Sequence, residues 1–439
     1  MTDRPAIEVI GAFESTYLPA HDVDVLEVCG HVERRRDDLA LLAASHVRRL
    51  RYPIRWHRVE AERGRYDWRA TDLELAELRE AGLRPIVDLV HHTSYPRWLA
   101  HGFADPRFGA AYLAYVTAVA ERYPWIEEYT VFNEPFATLF LCGHEGAWYP
   151  FGRDMGTLVE LFLNVLPSIL EASRRLRAAL PSARHVHVET CEDHSGTDDV
   201  GREAARLAND RRFFVTDLLA GVPLSAEGPF VRAVARAGGA ALLDLEPGHV
   251  DVLGLDYYAH SEWSYSSAGA IAPSPSPRGL AALIGEYGAR YDRRLMLTET
   301  NIRGTSADRA TWLRHTLAEC EAAVASGAPL EGYCWFPFVD SVDWDSLLRR
   351  HDRHIDPVGV YWLDERLERH ASSMSRAYAA AAGGTPACEL PAYRFSDQVK
   401  EYITPLLPRM ADFPWQEPPT GVDEMTTFET VRAPRVRAG

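Results

Sequence analysis

Two acids stand out by where they fall. In Tyr129-Thr-Val-Phe-Asn-Glu-Pro135 a short apolar run ends on Asn133-Glu134, and Pro135 then stops the strand pattern. In Leu295-Met-Leu-Thr-Glu299 a second apolar run also ends on an acid. Two carboxyls that face each other across a pocket suit cleavage of a glycosidic bond. One must hold a proton to release the leaving oxygen; the other must be ionised to attack or stabilise an oxocarbenium-like centre. Their mutual repulsion helps to separate the two pKa values.

Such a pair needs a scaffold that brings distant strand ends together. Short apolar runs predict eight strands: Ile7–Phe13, Val47–Ile54, Arg84–Val90, Tyr129–Phe132, His185–Glu189, Val250–Tyr258, Arg294–Thr298 and Gly332–Phe336. Apolar residues three and four apart predict helices over Asp72–Ala81, Phe108–Arg122, Leu158–Leu180 and Arg309–Ala325. Gly82, Pro124, Pro181 and Gly327 follow these as stops. Strands alternating with helices read as an α/β fold, a (β/α)8 TIM barrel. A doubly wound sheet would carry a glycine-rich phosphate turn after its first strand. Gly11-Ala-Phe-Glu-Ser-Thr-Tyr17 has none. In a barrel the C-terminal strand ends form the active face, so Glu134 on the fourth strand and Glu299 on the seventh can share one pocket.

The expected organisation is one catalytic barrel over residues 1–383. The segment 384–439, with Pro386, Pro391, Pro405, Pro408, Pro414, Pro418 and Pro419, reads as an extended tail that packs on the barrel or is partly disordered, fraying towards Gly439. Ala268–Pro277 reads as a surface loop near the active face.

Composition removes several classes. The 439 residues carry a formal net charge of −16, against the basic face that nucleic acids and anionic membranes require. Lys400 is the sole lysine, so the bulk of the chain offers no Schiff-base amine. No transmembrane segment or signal peptide is read from the sequence, and the expected location is cytoplasmic. The six cysteines form no CxxC pair and fit reduced thiols. His91-His92, Cys142-Gly-His144-Glu145 and Cys191-Glu-Asp-His194 offer ligand atoms without zinc-motif spacing, so neither metal nor cofactor is expected.

The motifs resemble those of glycoside hydrolase family 1, the β-glucosidase-type family among the clan A retaining glycosidases. The likeness runs in order from about Val9 to Asp364. It implies that Glu134 is the general acid/base and Glu299 the nucleophile of a retaining β-glycosidase that needs no cofactor. Leu50-Arg-Tyr-Pro-Ile-Arg-Trp-His-Arg-Val59 resembles the family's second strand, which puts Arg51 beside the nucleophile. His91 falls on a sugar-binding histidine, Asn133 on the residue that bonds the sugar 2-hydroxyl, and Tyr258 of Gly254-Leu-Asp-Tyr-Tyr258 on the tyrosine that bonds the nucleophile. In Gly332-Tyr-Cys-Trp-Phe-Pro-Phe-Val-Asp-Ser-Val-Asp-Trp344, Asp343 falls on a sugar-gripping glutamate and Trp344 on a stacking tryptophan. Trp335 is one place off the platform tryptophan, where Phe336 stands; either could form the sugar's floor.

Departures concern the sugar. No glutamine stands in the first-strand motif; Tyr17 falls at its place and Glu14 is close by. Aspartate at 343 is one methylene shorter than glutamate, and His92 replaces a tryptophan. The expectation is therefore a retained mechanism with a glycone specificity altered from glucose or galactose. The expected partner is a small carbohydrate or glycoside, with neither nucleic acid nor membrane; oligomeric state is left open. Glu14 could accept from hydroxyls or pair with a basic group of the substrate. A transglycosidase on the same scaffold, and a catalytically weak carbohydrate-binding barrel, are the alternatives.

Overall fold

The computed structural model describes residues 7–269, 271–427 and 432. Eight parallel strands close on themselves: β1 (Glu8–Ala12), β2 (Arg49–Pro53), β3 (Arg84–Asp88), β4 (Glu128–Thr130), β5 (Arg184–Thr190), β6 (Val252–Asp256), β7 (Arg294–Glu299) and β8 (Leu330–Cys334). Each pairs with its neighbours in sequence, and β1 closes the ring by pairing with both β2 and β8. The eight sequence-derived strands each coincide with one of these to within a few residues.

Between the strands run α1 (His31–Ala44), α2 (Arg69–Glu80), α3 (Phe108–Arg122), α4 (Met155–Ala179), α5 (Asp199–Arg211), α6 (Leu280–Tyr291) and α7 (Ser306–Ala325); α8 (Ser373–Ala382) follows β8. This is the (β/α)8 barrel. Their boundaries follow local chemistry. Asp154 caps α4 by accepting from Thr157 N, and Thr305 with Asp308 forms a reciprocal capping box at the start of α7. Helix α4 is long and apolar enough to cross a membrane by length and composition; here its apolar face packs on the fold, next to α3.

Alternation along the strands divides the apolar residues into two sets. Ile10, Ala12, Ile86, Val186, Val188, Val252, Met296, Cys334 and Phe336 fill the barrel's interior. A larger cluster lies between strands and helices. At the N-terminal ends of the strands a buried guanidinium, Arg49, meets Glu8 at 3.2 Å, Glu128 at 3.1 Å and Glu331 at 3.7 Å. Arg184 and Arg294 join the same ring through Glu331. The bottom of the barrel is thus tied by ion pairs, and the chemistry is left to the top.

Two loops differ from the simple picture. Ile271–Pro273 is an edge strand, antiparallel to Glu262–Tyr265, which itself pairs with Asp193–Gly196. An edge tolerates Pro273 because no neighbour needs its missing N–H. The chain after residue 383 runs over α7. Tyr393 and Thr311 exchange hydrogen bonds of 2.7 and 3.0 Å, and Leu390, Val399, Ile403, Leu406 and Met410 are buried. The end at Gly439 lies outside the described residues.

Candidate active site

Strand β7 delivers Glu299 through a distortion. Leu297 pairs with Leu255 of β6, but the next pair is Glu299 with Asp256, so Thr298 is the extra residue of a bulge. Gly254 makes room for it. A Cβ there would sit 2.5 Å from Thr298 Oγ1. Thr298 Oγ1 instead donates to Asp256 Oδ1 at 2.6 Å. Bulge and glycine together set two carboxyls side by side at the barrel's mouth.

Both oxygens of Glu299 accept hydrogen bonds. Arg51 Nη1 donates to Oε1 at 2.6 Å, and Tyr258 Oη donates to Oε2 at 2.6 Å. The same guanidinium lies 3.5 Å from Asp88 Oδ2 and donates to Asn133 Oδ1. Burial, with the charges of Glu299 and Asp256, pushes the Tyr258 phenol well above its usual range, which keeps it a donor.

Glu134 follows β4 and caps the short helix Pro135–Gly143 with a left-handed backbone, φ 45°. Non-glycine residues hold that conformation at a cost, and the surroundings fix it. Asn133 N donates to Val90 O at 2.8 Å and Glu134 N to Val188 O at 3.0 Å, tying the pair to β3 and β5. The buried Glu189 carboxylate accepts from Phe136 N at 2.7 Å, just past Glu134. Burial raises Glu189 to about 8 against the pull of these amides.

Electrostatics act on the Glu134 carboxyl. Burial, then the charges of Asp256, Glu299 and Glu189, raise Glu134 well above the carboxylate range. Asp256 is raised too, by burial and then by Glu299, with Arg51 opposing. Glu134, Asp256 and Glu299 each place an oxygen within 4.8 Å of the others. Glu134 can therefore hold a proton while Glu299 stays fixed between two donors.

The remaining predicted residues divide. His91 is buried, with Nδ1 2.9 Å from Asp88 Oδ2 and Nε2 3.5 Å from Glu14 Oε1. Burial pulls its pKa down, but Asp88, then Glu14 and Glu299, outweigh this and raise it. Its ring lies over Phe336, centroids 5.8 Å apart. Glu14 is thus within the site; Oε1 also accepts from Thr16 N and Oγ1 at 2.8 and 2.6 Å. Trp344 lies over His92, which sits 3.9 Å from Glu134 Oε2.

Three residues are not placed as the sequence reading had them. Tyr17 turns away from the barrel: its ring stacks on His57 at 3.8 Å and its hydroxyl donates to Asp22 at 2.7 Å. Trp335 faces outward. It belongs to the packing between strands and helices, and its indole donates to Val358 O at 2.8 Å. Phe336 is the aromatic ring that faces the interior, because the alternation of β8 continues just past its end at Cys334. Asp343 lies in the β8 loop, but its two oxygens accept from the Arg353 and His354 amides at 2.9 and 2.8 Å. Its carboxylate serves the loop.

Sequence reasoning missed Asp256, Asp88 and Glu189. Asp256 carried a signal: it ends an apolar strand two residues before Tyr258, as Glu299 ends β7. A cavity of about 260 Å³ opens beside the mouth, lined by Leu18, Tyr95, Trp148, Tyr149, Phe151 and Leu348 among others. Trp148 also flanks His92, centroids 5.1 Å apart, so the cavity adjoins the Glu134 side.

Two groups among the described residues offer metal-ligand atoms: Glu134, Asp256 and Glu299, and Asp345, His354 and Asp356. In the first, Arg51 and Tyr258 already occupy both oxygens of Glu299. In the second, Arg303 stands 3.1 Å from Asp356.

No family model matches the chain. Among curated proteins it is 25% identical to thermostable β-glucosidase B of Thermobispora bispora over 362 residues, covering 72% of this chain and 74% of that one. Among solved structures it resembles the family 1 β-glucosidase of Thermotoga maritima, with TM-score 0.70 and 16% identity over 88% of this chain and 99% of that one. The β-glucosidase of Thermotoga maritima bound to an N-octyl calystegine derivative gives TM-score 0.72 and 17% identity over the same shares. At these identities the structural likeness speaks for the fold.

Proposed function

We propose that this chain, a family 1-like protein of the β-glucosidase type, is a retaining β-glycosidase that works by double displacement. The observation that carries the reading is the approach of Glu134 and Glu299 carboxyl oxygens to within 4.8 Å. Retaining enzymes hold their carboxyls about 5–5.5 Å apart, whereas inverting ones need about 6.5–9.5 Å to admit a water.

In the first step the Glu299 carboxylate attacks the anomeric carbon. The bond to the leaving oxygen breaks, and Glu134 gives that oxygen its proton. Arg51 and Tyr258 orient the attacking carboxylate. In the second step Glu134, now ionised, takes a proton from water. The water oxygen attacks the same carbon and Glu299 leaves, so the configuration is restored. Asn133 Nδ2, buried and without a partner, is placed to donate to a sugar hydroxyl next to the reacting carbon.

The lining supports an altered glycone. Glu14, just after β1, lies 3.5 Å from His91, and the Asp343 carboxylate is engaged by backbone amides. The cavity at Trp148 suits an apolar or aromatic aglycone.

The test is a panel of nitrophenyl β-glycosides spanning gluco, galacto, manno, fuco, xylo, glucosaminide and glucuronide sugars, with wild type and Glu299→Ala. Release by wild type that is lost in the variant supports the reading. Release that persists in Glu299→Ala contradicts it.

A further inference from the structure

Three buried polar atoms around Glu134 and Glu299 have no hydrogen-bond partner: Glu14 Oε2, Asp88 Oδ1 and Asn133 Nδ2. Two of the three are carboxyl oxygens. A buried acceptor left unpaired is costly, so a group of them in one pocket calls for a guest that brings donors.

Charge says which kind of donor. Carboxyls converge at the barrel's mouth from five strand ends: Glu14 after β1, Asp88 of β3, Glu134 after β4, Asp256 of β6 and Glu299 of β7. Among the described residues, Arg51 is the one guanidinium in contact with them, and Glu299, Asp88 and Asn133 already engage it. His91 is shared between Asp88 and Glu14. Five carboxyls thus converge on one guanidinium and one imidazole. Glu14 is the acid best placed to take a guest. Its Oε1 is fixed by Thr16, and Oε2 is buried without a partner.

We propose that the glycone is an amino sugar, whose protonated amine donates to Glu14 Oε2. A hydroxyl there would satisfy the oxygen but leave the excess negative charge; an ammonium supplies both donors and charge. His91 and Asp88 stand between Glu14 and the Arg51–Glu299 pair. The amine therefore sits on a ring carbon away from the anomeric centre. This assignment rests on the glycosidase reading for where the sugar ring lies.

The test compares binding of methyl 3-amino-3-deoxy- and 4-amino-4-deoxy-β-D-glucoside with methyl β-D-glucoside to the wild-type protein by calorimetry. One amino glycoside should bind about ten- to a hundredfold more tightly, as expected of a charge-assisted hydrogen bond in a buried site. Glu14→Gln, an isosteric change, should abolish the preference. Equal or tighter binding of the neutral sugar, no binding by any of the three, or a preference that survives Glu14→Gln would each overturn the proposal. The wild-type comparison stands even if the variant fails to fold. The two readings fail separately. An amino glycoside that binds tightly but whose nitrophenyl counterpart is not cleaved supports the amine site and defeats the hydrolase. Cleavage of neutral glycosides through Glu299 without any amine preference does the reverse.

Discussion

Arg51, on β2, places Nη1 2.6 Å from Oε1 of Glu299, on β7, across the barrel's mouth. Both side chains are buried, so the pair acts in a medium of low dielectric, and its value depends on both members remaining.

Arg51→Ala should therefore do more than weaken catalysis. It leaves Glu299 and Asp88 buried without their cation. A loss of about 3–5 kcal/mol is usual when one partner of a buried pair is removed. Chemical denaturation should show a drop of that size, and turnover should fall with it. Arg51→Lys should recover part of the stability but not the shared contacts to Glu299, Asp88 and Asn133, because an ammonium lacks the planar fork. Wild-type activity in Arg51→Ala would contradict the placement.

The Glu134–Asp256 contact predicts a pH effect. Glu134 must carry its proton to act as an acid, so activity falls as pH rises through its pKa. Burial raises that pKa most, and the Asp256 charge comes next. Asp256→Asn removes the charge and lowers the pKa. The alkaline limb of the kcat/KM profile should move to lower pH, with the acidic limb less affected. An unmoved alkaline limb would show that the two carboxyls titrate independently.

Acid stability should report on histidines buried without charge. Burial lowers His187 to about 3, and His185 and His315 to about 4, from an ordinary 6.5. Between these values the unfolded chain binds more protons than the folded one, so stability falls as pH falls. The slope is at most about 1.4 kcal/mol per pH unit for each histidine. Glu189, Glu134 and Asp256, whose pKa values are raised, act in the opposite direction. The effect is therefore read as a difference: His187→Gln should lose less stability than wild type on acidification from pH 6.5 to 4.5. Parallel curves would contradict it.

Much of the barrel was legible because apolar runs and helical periods report burial directly, and the strand-end acids Glu134 and Glu299 were legible for the same reason. The errors came where one residue or one distant contact decides. Trp335 and Phe336 differ by a single step just past the end of β8, and that step exchanges the outer face for the inner one. Tyr17 follows a turn set by Glu14 accepting from Thr16 N and Oγ1. An ungapped reading has no access to that turn. The Asp343 carboxylate is captured by amides ten and eleven residues further on, a tertiary choice without a local signature. Asp256 was hidden in plain view, because its partner Thr298 is aimed by a bulge that only the paired strands reveal.

Azide rescue tests whether Glu299 is the group that attacks the sugar. Glu299→Ala removes the nucleophile, and added azide should replace it, attacking once from the same face. With an activated β-glycoside, NMR of the product should show the α-glycosyl azide. A β-glycosyl azide would mean that a nucleophile elsewhere still forms the covalent intermediate, and would contradict the account.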